Sequence, residues 1–219
     1  MNLVELSVSH FLLARALDSV GMREADLGSV INTSDADMIA AFATEDVEAV
    51  VAWNPAVQEI VDGHAEANVL FDSSMIPGEI LDMLVVNTQT LEEHPDFGKA
   101  LVGAWYEVMA LMASGDEDVL TDLGVASGTD LAGYQQQLAA TEMFFDPAQA
   151  VAQAEDPKLP EAMQNIADFL FEKGILGEGA DSPDFVGISY PGGVVTGDPN
   201  NIRFRFNSEY MRLAAEGGL

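Results

Sequence analysis

Cysteine is absent from the 219 residues. That excludes disulfides, thiolate metal sites and a cysteine nucleophile, and it leaves the compartment open. Basic residues are scarce: 8 Lys and Arg stand against 37 Asp and Glu, a formal net charge of -29. Phosphate binding needs cations, so nucleic acid is excluded as a partner. An anionic membrane surface is disfavoured on the same ground. Histidine occurs only as His10, His64 and His94, in contexts that match no metal-ligand spacing. No glycine-rich phosphate loop with a lysine is present, and GISYPGG lacks the strand-to-helix pattern of a nucleophile elbow. No apolar run approaches the roughly 20 residues a membrane-spanning helix needs. The chain opens with no basic segment followed by an apolar one, so an exported form requires a leader not seen in this sequence.

Hydrophobic residues make up 48% of the chain, and they recur in structured patterns rather than in a disordered acidic tail. A sizeable core is therefore expected, in one large or two small domains. The acids are dispersed over many segments, which describes a solvated acidic surface whose self-repulsion salt screens. A halophilic or marine source, or an acidic extracytoplasmic protein, accounts for such a balance.

The first 92 residues alternate between strand and helix patterns. Strands are expected at 2–6, 28–32, 47–53, 68–71 and 81–87. Helices are expected from Ser9 to Val20, from Ser34 or Asp35 to about Ala43, and after Pro55. Such alternation predicts an α/β domain with a mostly parallel sheet. From His94-Pro95 onward the pattern turns helical, with Phe97, Leu101, Trp105, Val108, Leu111 and Met112 at helical spacing over 96–114. Further helices are expected near 129–140, 147–153, 159–173 and 207–216. PGGVVTGDPNN reads as loop and IRFRF as a short strand. The expected division is 1–92, an α/β unit, and 93–219, a mainly helical unit.

Three strand ends carry the candidate site. The first is the turn Ser7-Val8-Ser9-His10, where two hydroxyls and a helix start could hold a polar solute or anion. Plain capping by Ser7 or Ser9, with His10 packed locally, is the alternative. The second is Ser34-Asp35-Ala36-Asp37, where one acid caps the helix and the other can accept hydrogen bonds from a cationic or amide ligand. The third is Trp53-Asn54, an aromatic wall followed by an amide donor and acceptor at the carboxyl end of a strand, where open α/β sheets bind ligands. Ser73, Ser74 and the Tyr190–Gly193 loop are weaker candidates. A hydrolase built on Ser7 or Ser9 with His10 is disfavoured, because neighbours at a helix start rarely present that geometry. No catalytic residue, metal ligand or cofactor is expected.

Taken together, VELSVSHFLLARALDSVG, NTSDADMIAAFATEDVEAVVAWNP, LVVNTQTLEEHPDFGKALVGAWYEVM, GTDLAGYQQQLAATEMFF and the tail GISYPGG with GDPNNIRFRFNSEYM resemble solute-binding proteins of ABC importers, of the type II periplasmic-binding fold. The likeness is to the nitrate, sulfonate and taurine group, and within it to the branch associated with urea or guanidine carboxylase. It implies two lobes that clamp a small ligand. The small-residue turn ending in His matches Ser7 to His10, the Ala-Asp element matches Ala36-Asp37, and a Trp-Asp-Pro element matches Trp53-Asn54-Pro55, with Asn in place of Asp. The implied ligand set is Ser7, Ser9, His10, Ser34, Asp35, Asp37, Trp53 and Asn54. The implied ligand is a small polar solute such as urea or guanidine, with nitrate or sulfonate less suited. The implied partner is a transporter permease, and the implied location of the full-length parent is periplasmic or extracytoplasmic. Against that family the chain starts at the first strand of lobe two and continues into the helical end of lobe one, so a truncated clamp that self-associates is a further expectation. Thiamine-pyrimidine synthases share the broad fold, but the scarcity of lysine and the lack of cysteine weigh against that chemistry.

Overall fold

A computed structural model describes all 219 residues. It is an α/β structure rich in helix, with two small sheets. The chain divides into two units, Met1–Ile80 and Leu81–Leu219. No helix is long and apolar enough to cross a membrane.

The first unit is organised around β1 (Asn2–Leu3). It pairs in parallel with β2 (Ile31–Asn32) on one side and makes a single parallel bridge to Val50 on the other. Four backbone bonds fix this arrangement: Ile31 N–H to Met1 O, Thr33 N–H to Leu3 O, Asn2 N–H to Ala49 O and Val51 N–H to Asn2 O, all between 2.8 and 3.0 Å. Helix α1 (Val8–Ser19) covers one face. Leu3, fully buried, packs with Leu13 and Leu17 of that helix, and Leu27, Val30 and Val51 close around them.

Ser7 starts α1 from an extended backbone, its Oγ accepting the Ser9 N–H at 3.1 Å. Gly21, at φ +71°, ends the helix region in the left-handed conformation that a glycine adopts without a Cβ penalty. There the Met22 N–H reaches back to Leu17 O at 2.9 Å. A 3-10 turn at Asp35–Asp37 leads into the short α2 (Met38–Phe42), whose Met38 is fully buried. Helix α3 (Ala56–Gly63) follows Pro55.

Strand content is lower than the sequence pattern predicts. The expected strand at 2–6 keeps two residues, that at 28–32 keeps two, and that at 47–53 is reduced to the bridge at Val50. Residues 68–71 and 81–87 form no strand. The reason is physical: a helix satisfies its own N–H and C=O groups, whereas a strand exists only where a neighbour supplies partners.

The second unit is mainly helical: α4 (Thr88–Glu93), α5 (Pro95–Ser114), α6 (Glu117–Ala126), α7 (Leu131–Ala139), α8 (Pro147–Ala154), α9 (Leu159–Glu172) and α10 (Glu209–Ala215). Three aspartates serve as N-caps. Asp116, Asp130 and Asp146 accept backbone N–H groups at the starts of α6, α7 and α8, where a carboxylate also meets the positive end of the helix dipole. The expected break after residue 92 falls within this unit, because α4 packs on α5 and Leu81 joins the cluster of Leu159, Met163 and Tyr190.

The second sheet has the order β4 (Val195–Thr196), β3 (Gly187–Ser189), β5 (Ile202–Arg205). β3 and β4 are antiparallel and β3 and β5 are parallel. The sequence reading anticipated IRFRF as a strand and missed the other two. Tyr190, just past β3, stacks on Phe206 with ring centroids 5.4 Å apart and an interplanar angle of 9°. Burial pushes its phenol above the ordinary value, and its contact with the Thr196 hydroxyl opposes that shift.

Candidate functional site

The carboxyl ends of the three parallel segments of the first unit lie on one edge. β1 runs into Val4–Ser7 and α1. β2 runs into Thr33 and the Asp35–Asp37 turn. The third segment runs from Val50 through Trp53 to a cis Asn54–Pro55 bond and α3.

Cross-links between side chains hold these ends together. The Trp53 indole N–H donates to Ser9 Oγ at 2.7 Å, tying the third segment to the first turn of α1. Asn2 donates through Nδ2 to Thr33 Oγ1 at 2.9 Å, and the Glu5 N–H donates to Asn32 Oδ1 at 3.0 Å, tying the first segment to the second. Asn2 is 7% exposed and its Oδ1 is buried with no hydrogen-bond partner.

Ser7, Ser9 and His10 are engaged in local structure. The Ser7 hydroxyl donates to Val4 O at 2.6 Å while capping the helix. Ser9 is 2% exposed and holds the indole. His10 is 4% exposed. Its Nδ1 accepts the Leu6 N–H at 3.1 Å, which places the ring hydrogen on Nε2, 2.9 Å from Glu24 Oε2. That bond spans a turn in which Leu6 sits at φ +55°, a conformation that costs a non-glycine residue of order 1 kcal/mol.

The open rim is acidic and polar. Ser34, Asp35, Asp37 and Asn54 are exposed, and Trp53 is half-buried. The Ser34 hydroxyl donates to Asp37 Oδ2 at 2.6 Å, which orients that carboxylate. The structure thus brings the first turn and Trp53 into direct contact, and places the Asp35–Asp37 turn at the end of the strand adjacent to β1. Ser73 and Ser74 lie in a separate 3-10 turn capped by Asp72. Tyr190–Gly193 belong to the second unit and are described there.

Sequence reasoning missed Glu24, Asn2 and Thr33 as supports of this edge. Their partners lie 14 and 31 residues away, and no local pattern announces such contacts. Arg15 is a further support. It grips Glu79 with two bonds, Nε to Oε2 at 2.6 Å and Nη2 to Oε1 at 2.8 Å, which together with that charge raise the guanidinium pKa above its ordinary value against the opposing effect of burial. No group of three or more His, Cys, Asp or Glu side chains is gathered to hold a metal ion. Neither a protein-family model nor a curated protein matches this chain.

Proposed function

We propose that this chain is the solute-binding component of an ABC importer, with a type II periplasmic-binding fold, and that it holds a small polar solute without covalent chemistry. The observation that carries this reading is the Trp53–Ser9 hydrogen bond, because it pins the ends of two parallel segments side by side at the edge where open α/β sheets take ligands. In this reading Ser7, Ser9 and His10 build the floor. Ser34, Asp35, Asp37 and Asn54 offer hydroxyl, carboxylate and amide oxygens to a donor-rich guest, and Trp53 supplies a flat wall.

Urea and guanidine suit such a rim, since each presents several N–H donors in one plane. The net charge of -29 favours the guanidinium cation further. Nitrate and sulfonates meet carboxylates where they need donors. Energy coupling and translocation belong to partner subunits in this reading, the permease among them.

A thermal-shift screen of guanidinium, urea, short amides, nitrate and taurine at millimolar concentration tests it. Guanidinium or urea raises the melting temperature of the parent protein and has no effect on Asp37→Ala or Trp53→Ala, whose helical circular dichroism stays that of the parent. A shift retained in both variants, or none with any solute, overturns the reading. Self-association is a second reading, favoured by the exposure of Leu70, Val85 and Val125, at 83%, 70% and 70%. Sedimentation distinguishes it.

A further inference from the structure

A groove of about 720 Å³ lies within the second unit. It opens where the parallel neighbours β3 and β5 end, between the Pro191–Gly193 turn and α10. That is the second place in this protein where adjacent parallel strands present their carboxyl ends, the setting in which open sheets take ligands. Its volume is within the range of small-molecule sites.

One wall of the groove is internally satisfied. Glu155 Oε1 accepts from the Ser208 hydroxyl at 2.6 Å and from Arg212 Nη2, which neutralises one charge of each sign. Asn207 Oδ1 is occupied by the Glu209 N–H at 2.7 Å, which leaves the amide NH2 to donate. The Phe206 ring gives an apolar patch backed by Tyr190.

What remains is charge of both signs without an internal match. Arg205 lines the groove and makes no ion pair, in a chain where acids outnumber bases by 37 to 8. Glu209 and Glu216 line it too, and neither is paired with Arg205. A ligand that satisfies both sides carries an anionic and a cationic end. Net charge points the same way. A simple anion is repelled by a protein of charge -29, and a simple cation is drawn to acids all over the surface with no preference for this place. A neutral dipolar molecule escapes both effects.

We propose that this groove binds a small zwitterionic solute bearing a carboxylate and an ammonium group, the carboxylate on Arg205 and the ammonium beside Glu209 and Glu216. The site is independent of the one proposed in the first unit.

Calorimetric titration tests it with glycine, L-leucine and 4-aminobutanoate as probes, and acetate and methylammonium as single-charge controls. At least one zwitterion binds, both controls bind more weakly, and Arg205→Gln weakens the zwitterion by about tenfold or more. Arg203→Gln, on the same strand but outside the groove, leaves the affinity unchanged. No binding by any zwitterion, acetate or methylammonium binding as tightly as the zwitterions, or undiminished affinity in Arg205→Gln overturns the proposal.

Discussion

At the scale of single residues, the first unit depends on a few contacts between positions far apart in the chain. Arg15 and Glu79 are 64 residues apart and make a two-bond ion pair, with the Glu79 side chain only 11% exposed. Charge-assisted bonds of this kind contribute about 1.5–3 kcal/mol, and removing one partner strands the other. Glu79→Gln is therefore expected to lower stability by about 2 kcal/mol, read by urea denaturation with an unchanged m-value. The Ser7 cap was legible in the sequence because it depends on a hydroxyl and a backbone N–H two residues on. The Trp53–Ser9 and His10–Glu24 contacts were not, since nothing local to either residue specifies its partner. Sequence placed Ser9 and His10 at the candidate edge. The structure shows why they sit there: one anchors an indole and the other clamps a strained turn.

At the scale of elements, most helices were legible and strands only in part: β1, β2 and β5 lie within expected strands, while β3 and β4 were missed. Helices after Pro55, over 96–114 and over 159–173 were expected from periodicity and bounding residues, and they appear at nearly those limits. Helix α6 escaped notice although Asp116 caps it. VEAVVAW reads as a strand by composition, yet it contributes one bridge, Val50 to Asn2, made by the Asn2 N–H on Ala49 O and the Val51 N–H on Asn2 O. The short strands that do form are tightly constrained. A Cβ on Gly187, at the start of β3, collides with the backbone carbonyl of Asp198, which cannot rotate away as a side chain would. Gly187→Ala is expected to destabilise the protein by about 1–3 kcal/mol through forced backbone movement. The loss should appear as faster amide exchange across β3 and β5 than in α6 and α7.

At the scale of the whole molecule, surface and charge dominate. Apolar side chains are part of that surface, with Trp105, Val108 and Leu111 exposed along α5. A chain of charge -29 should be stabilised as salt rises. Screening shortens the reach of like-charge repulsion from about 10 Å at roughly 0.1 M to about 3 Å at roughly 1 M. The melting temperature is expected to climb over that range, by calorimetry, and a flat profile would show that repulsion does not limit stability. The two tryptophans are divided between the units, Trp53 in the first and Trp105 in the second. Fluorescence can therefore follow each half of the molecule separately: with Trp105→Phe the remaining emission reports on an indole hydrogen-bonded to a buried hydroxyl, and with Trp53→Phe on an indole facing solvent, so that sequential and concerted unfolding become spectroscopically distinct.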